Sequence, residues 1–548
     1  MHTDIKSLRD HGDALFSKRT SLLSLWQNIA EEFYVERADF TAGRTLGSEF
    51  GDHLTTSYPT IARRDLANTF SSMLRPTDKQ WFFLRPVQEW RENDATLKWM
   101  EWATGLQRRA MYDSAANFVR ATKEGDNDFA AFGQCVLSVE LNRRKQALLY
   151  RTWHLRDVAW CEGAEGKVEI VHRNWKPEAR ILAQLFKNIH ESVTKCLEKE
   201  PYKEINCRHI IIPTEEYQSG DIKKKHKTQF VSIHIDLDNN KTMEEIGINN
   251  KCYVIPRWQT VAGSQYAYSP ATVAALSDAR LIQAMTLTLL EAGQKAADPP
   301  MIAVQEAIRS DVSVYAGGIT WVDAEYDERL GEVLRPITQD RNGIPLGIEM
   351  QRDIREQIAE AFFLNKIGLP PVKGDMTAFE VGQRVSEYVR NALPLFEPME
   401  VEYNGGLCEL TFDILMGAGA FGPVDSIPDE LRGGEMRFRF ESPLAAAQEH
   451  QKSQKFLETK AMLLEAAQLD QSAPAILDVK VALRDVLSGG VSQAKWLRTD
   501  DELEAIAQEQ AQKDAMQQMM GTLTQGGMAA EQIGNAGKAL QEGLGGVM

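Results

Sequence analysis

The sequence predicts an α+β protein, mainly helical, and three stretches of its 548 residues predict it. Between Tyr268 and Leu393 the order is helix, β-rich excursion, helix, Pro/Gly loop, helix. Between Cys135 and Pro256 short apolar runs rich in β-branched residues predict strands. From Pro443 to Gln518 the pattern turns strongly helical.

The central stretch carries the sharpest local signals. Ser269-Pro270 is a capping residue followed by proline at the first helical position, and Pro299-Pro300 ends the run, so a helix is expected over 269–298. The excursion 299–345 holds short strand-like runs punctuated by Gly317-Gly318 and Asn342-Gly343. A second helix is expected over 346–367, with Ile348, Ile354, Ile358, Phe362 and Phe363 at near-helical spacing. Pro370, Pro371, Gly368 and Gly374 forbid continued helix in the loop 368–376, which also carries Lys373 and Asp375. Thr377 and Glu380 have the form of a capping box opening a third helix. Two helices of this length are rods of roughly 30–40 Å, a stalk with the excursion at its tip.

Upstream, residues 4–37 carry an apolar stripe from Leu8 to Tyr34 that predicts one long helix. Further helices are expected near 59–74, 92–113 and 115–131, and a strand at 81–84. Arg63-Arg64 could meet phosphate or form a solvated or subunit-contacting face. In the β-rich stretch six strands are expected, interrupted by one helix near 178–198. Its basic run Lys223 to Lys227 reads as a solvated hairpin tip or a nucleic-acid patch. Downstream, 401–420 reads as helix and 436–440 as a strand returning to the sheet; 443–520 is helical, and 521–548 a Gly/Gln-rich tail.

Composition limits the function classes. With 43% hydrophobic and 26% charged residues the chain is globular. No run of roughly 18 apolar residues occurs, so no transmembrane helix is expected. The first residues lack an apolar signal core, so secretion is not expected. The six cysteines are far apart, with no C-x-x-C, and read as reduced thiols. A net charge of −16 argues against a protein that grips nucleic acid through a basic footprint. It is compatible with a conduit, whose wall should hold sliding DNA weakly.

No motif supports catalysis, and neither a cofactor nor a metal site is expected. Gly417, Gly419 and Gly422 spell G-x-G-x-x-G, but Pro423 follows where a helix should open. A Walker-A phosphate loop is absent, so any ATP-driven step belongs to a partner. Asp236 and Asp238 imitate the start of a calcium loop, yet Lys241 and Gly247 stand where glycine and a bidentate glutamate belong. The ten histidines form no H-E-x-x-H, and no G-x-S-x-G elbow occurs.

The order of parts, with YAYSPATVAALSDARLIQ (266–283), MTAFEVGQRVSE (376–387) and ESPLAAAQ (441–448), resembles the head-to-tail connector (portal) family of short-tailed, T7-like bacteriophages. The resemblance runs from about Leu15 to Gln510 and rests on structural patterns. It implies a ring, of twelve copies by the family pattern, at one capsid vertex of the virion, assembled in the host cytoplasm. Residues 1–268 and 377–442 would form the wing and its return, 269–298 and 346–367 the stem, 299–345 the clip, 368–376 the tunnel loop, and 443–520 the crown or barrel. Pro370, Pro371, Lys373, Gly374 and Asp375 would stand at the constriction, with Arg352, Arg355 and Lys366 either along the channel wall or paired with neighbouring subunits' carboxylates. Tyr315, Trp321, Asp323, Glu325 and Arg335 would dock the terminase large subunit and then tail adaptor or tail tube proteins. Capsid and scaffolding proteins and double-stranded DNA complete the implied partners; no membrane is among them. The alternatives are another phage structural component, such as an internal head or ejection protein, and an enzyme built around the glycine motif.

Overall fold

The computed structural model describes residues 4–43, 45, 47, 49, 51–77, 79–88, 93–217, 227–303, 321, 334–336, 343–367, 399–440, 456–463, 506, 508 and 513. These residues are α+β and mainly helical. The chain forms two compact units. The larger comprises Met1–Leu84, Ala103–Val424 and Arg437–Ala447, and the smaller Arg85–Trp102, Asp425–Met436 and Gln448–Met548.

The predicted helix over 4–37 is two helices, α1 (Ile5–Lys18) and α2 (Thr20–Phe33), followed by a 3-10 turn. Asp4 caps α1 by accepting from Ser7 N at 2.8 Å. The break falls at Arg19, whose buried guanidinium donates to the carbonyls of Leu155 at 2.6 Å, Val158 at 2.7 Å and Arg156. A cation held by three carbonyls of a distant turn fixes the bend.

α3 (Tyr58–Leu74), α4 (Asp94–Met111) and α5 (Phe118–Phe132) follow expectation to within a few residues. Arg63 corrects the surface reading: it is buried, donates through Nε to Phe33 O at 3.2 Å, and lies 4.1 Å over the Tyr34 ring. Strand β1 (Phe82–Pro86) pairs with the last strand, β12 (Met436–Phe440), in a two-stranded ribbon. The predicted return strand thus pairs away from the large sheet.

Two further sheets form the β-rich stretch. β2 (Val136–Leu141), β3 (Leu148–Trp153) and β9 (Tyr253–Val254) make one, in the order β3-β2-β9. The other is an antiparallel meander of β4 (Val158–Glu162), β5 (Val168–Trp175), β6 (Cys207–Pro213), β7 (Phe230–Asp236) and β8 (Lys241–Ile248). β4 and β8 went unread in the sequence because edge strands lack a two-sided apolar run. The single helix expected near 178–198 is α6 (Ala179–Leu185) and α7 (Glu191–Lys199). α7 opens where the His190 ring accepts from Ser192 N.

Leu8 of α1 packs on one face of the five-stranded sheet with Ile210, Ile212, Val231, Ile233 and Ile235. Leu182, Phe186 and Val193, from the α6–α7 insert, pack on the other with Cys207 and Met243. The calcium-like Asp236 is a turn anchor in the β7–β8 hairpin: its Oδ1 accepts from the N–H groups of Asp238 and Asn239, both at 3.0 Å.

α8 (Pro270–Ala297) matches its expected bounds, and β10 (Met301–Ala303) pairs with β11 (Leu334–Pro336). The second central helix is displaced: α9 (Gly343–Ala361) starts earlier and stops earlier, with a short α10 (Leu364–Ile367) after a break. At the break Phe363 has φ +57°, a left-handed conformation unfavourable for an aromatic residue. Phe362 is buried there, its ring 5.3 Å from Phe33. Residues Glu400–Gly405 form a π-helix that continues as α11 (Gly406–Gly417).

Candidate functional site: the α8–α9 pair and its root

The root of α8 is held by side chains that bond to the end of α5. Ser269 Oγ donates to Ala130 O and Thr272 Oγ1 to Ala131 O, each at 2.7 Å. Ser269 also caps its own helix by accepting from Thr272 N. Gly133, at φ +72°, ends α5, and a Cβ there would collide with the main chain of Tyr268 and Ser269. Ala271, Ala275, Ala279 and Ile282 form the buried stripe that lets α8 lie close to the body.

A second anchor lies farther along the helix. The Gln283 side-chain oxygen accepts from Thr55 N at 2.8 Å and Thr56 N at 2.9 Å, while its nitrogen donates to Thr56 O at 3.0 Å. Beyond this point α9 packs on α8. Gln351 donates to Thr286 Oγ1 at 2.7 Å, and a Cβ at Gly347 would sit 2.7 Å from Leu289 Cδ2. The pairs 286/351 and 289/347 run in opposite senses, so the two helices are antiparallel.

Among the described residues nothing covers the apolar sides of this pair. Val273, Leu281, Leu287 and Leu290 on α8, and Leu346, Ile348 and Met350 on α9, are exposed. An 18-residue window of α8 has a mean hydropathy of 1.3 with only 17% of it buried, so by length and composition this helix could cross a membrane. Its partner argues against lipid: α9 carries Glu349, Arg352, Asp353, Arg355, Glu356 and Glu360 along the same stretch.

Of the wall candidates, Arg352 is exposed with Nε 3.7 Å from Glu356 one turn on, a pair worth little in water. Arg355 lies 5.7 Å over the Tyr58 ring, and its carbonyl accepts the Tyr58 hydroxyl at 3.0 Å. Lys366 lies on α10, past the Phe363 break. Trp321 is exposed, and Arg335 sits on β11 opposite Ile302. Pro370, Pro371, Lys373, Gly374, Asp375, Tyr315, Asp323 and Glu325, and the basic run from Lys223 to His226, lie outside the described residues. The Gly417–Gly422 motif follows a helix, where a phosphate-binding loop would precede one.

Sequence reading missed the polar clamps that hold this body together. Arg257 pairs with Glu402 of the π-helix through NH2 and Oε1 at 3.0 Å, and with Glu162 of β4. Arg75 pairs with Asp126, donates to Asn404 Oδ1 at 2.9 Å and lies 4.6 Å over the Tyr403 ring. Burial pushes the Asp126 carboxyl up, and Arg75 pulls against that shift. Burial also lowers the Arg75 guanidinium, but Asp126 and the Tyr403 hydroxyl together more than offset this and keep it charged. No local pattern announces pairs that join residues so distant in sequence.

Comparison with known proteins identifies relatives of this chain. A family model described as bacteriophage head to tail connecting protein matches residues 6–489. The chain is 25% identical over 459 residues to a "Probable portal protein" of Bordetella phage BPP-1, covering 81% of this chain and 80% of that one. It is 22% identical over 524 residues to a "Portal protein" of Salmonella phage epsilon15, covering 92% and 91%. Among solved structures, the virion of a native gene transfer agent particle aligns over 79% of this chain and 95% of that one at 11% identity, with a TM-score of 0.32. With a family match over most of its length, the chain belongs to the bacteriophage head to tail connecting proteins.

Proposed function

We propose that the protein is the portal subunit of a phage virion, a structural protein that closes into a ring at the head–tail junction. The observation that carries this reading is the α8–α9 pair: rigidly rooted, antiparallel, and apolar on sides that nothing among the described residues covers. A folded protein keeps such a surface when a partner covers it. In a closed ring each copy presents one side to the preceding neighbour and the other to the next, a heterologous interface that closes by rotation. The charges of α9 favour protein over lipid as the cover.

In this reading twelve copies surround double-stranded DNA, with α8 and α9 around the channel and the loop 368–376 at its constriction. Lys373, repeated around the ring, gives many weak, exchangeable phosphate contacts. The segment 299–345 docks the terminase large subunit and later tail adaptor or tail tube proteins. Residues 1–268 and 377–442 form the wing that meets capsid and scaffolding proteins, and 443–520 the crown. The role is passive, and ATP hydrolysis belongs to the motor.

Electron microscopy of the purified protein with native mass spectrometry tests this reading. Rings with a central hole and a mass of about 0.74 MDa, twelve chains of 61.6 kDa, are expected. A monomer at every concentration, with and without scaffolding protein, would overturn it.

A further inference from the structure

On the α6–α7 face of the five-stranded sheet, a row of ionisable side chains crosses four strands. Arg173 on β5 is in register with His209 on β6, His209 with His234 on β7, and His234 with Glu244 on β8. The two imidazoles stack with centroids 4.0 Å apart and planes 3° from parallel. Phe186, at the end of α6, lies 4.8 Å from the His234 ring, and Trp175 lies 6.4 Å from it.

The hydrogen bonds fix where the protons sit. Arg173 Nε donates to the Tyr253 hydroxyl oxygen at 2.6 Å, and a guanidinium has no acceptor to offer. The Tyr253 proton therefore goes to His209 Nδ1, also at 2.6 Å. His209 Nε2 then carries the ring proton and donates to Ser232 Oγ at 2.8 Å. A second proton on His209 would leave two donors aimed at the Tyr253 oxygen. His234 Nδ1 is buried without a hydrogen-bond partner among the described residues.

We propose that the His209–His234 stack is a proton-operated latch: closed while both rings are neutral, and sprung by protonation, which frees the insert 176–206 from the sheet. The groups facing the stack are Arg173 from β5, Tyr253 from β9, Ser232 from β7 and Glu244 from β8, with His172 on the opposite face. From the insert come Phe186 and, beside it, Leu182, Val193 and Cys196. Arg173 opposes any added positive charge; Glu244, whose own carboxyl burial pushes up, is the acid set opposite His234.

Burial lowers the His209 ring far below its ordinary value, with His234, Arg173 and His172 adding to the effect. Burial, then Arg173, brings His234 down to about 3. A histidine lowered in the fold supports the closed state above its released value, roughly 6.5. That support drains away as pH falls from there toward about 3, where His234 charges in place. The latch stands on the sheet alone and does not depend on ring assembly.

Hydrogen–deuterium exchange of the full chain, corrected for the intrinsic pH dependence of exchange, tests it. Between pH ~7 and ~5, protection over 179–199 should fall roughly 25-fold for each histidine that charges on release, while α3 and α5 hold. His234→Leu should flatten that response. Tyr253→Phe, which strips His209 Nδ1 of its donor and so raises its value in the fold, should shrink the acid loss. Overturning results are protection over 179–199 that ignores pH, a wild-type profile in His234→Leu, or acid loss shared equally by all helices. Should His234→Leu fail to fold, Tyr253→Phe decides: a smaller acid loss supports the latch, and an unchanged profile overturns it.

Discussion

Gly133 closes on Tyr268 so tightly that the main chain at the root of α8 leaves no room for a β-carbon at the end of α5. Two segments separated by more than 130 residues meet there backbone to backbone, and the Trp258 N–H donating to Gly133 O at 2.8 Å seals the contact.

Gly133→Ala therefore meets both a collision and a left-handed φ. A loss of at least ~2 kcal/mol in stability is expected, read as a lowered denaturation midpoint. A midpoint equal to wild type would mean the root relaxes freely.

The uncovered apolar sides give a separable prediction. Leu287→Glu with Leu290→Glu should leave the fold of the single chain within ~0.5 kcal/mol, because both side chains are exposed. Assembly should fail, with light scattering after gel filtration reporting monomer. Rings formed as readily as wild type would remove this surface from the interface.

Arg75→Met leaves the Asp126 carboxylate buried without its cation, at a cost of roughly 3–5 kcal/mol. The sign of the pH dependence follows from the raised Asp126 carboxyl. A carboxyl raised in the fold is tolerated when protonated and costs stability as pH rises. The variant should thus lose more relative to wild type at pH 8 than at pH 5, by chemical denaturation at both. An equal loss would mean that solvent or another donor takes over from Arg75.

Deleting 374–377 should leave ring assembly intact and impair DNA packaging or retention, measured as packaged genome per particle. Normal packaging would remove the constriction role from this loop. Asp323→Lys with Glu325→Lys should weaken terminase or tail docking more than folding, by pull-down against thermal unfolding. Unchanged docking would tell against that surface.

What the sequence made legible was local. The bounds of α8 followed from Ser269-Pro270 at one end and Pro299-Pro300 at the other, signals that act within a turn. The bend at Arg19 was illegible because its cause, the carbonyls of Leu155 and Val158, lies more than 130 residues away. The break before α10 was hidden for a similar reason: Phe362 and Phe363 continue the helical spacing, and Phe362 is drawn off course by Phe33. The histidine stack joins strands whose register only the folded sheet defines. Of the proposed channel residues, Arg352 and Arg355 fall on α9 as expected, yet Arg355 already has Tyr58 as a neighbour, which spacing could not reveal.

Among the described residues, α8 is fixed to the body from Ser269 to Gln283 and packed by α9 beyond, which makes its outer half a cantilever. A beam clamped at one end bends easily at the other, and its stiffness falls steeply with overhang. Beams set side by side in a closed circle share each load with their neighbours. Rigidity at the outer end would then be a property of the assembled collar, acquired in the same step as closure.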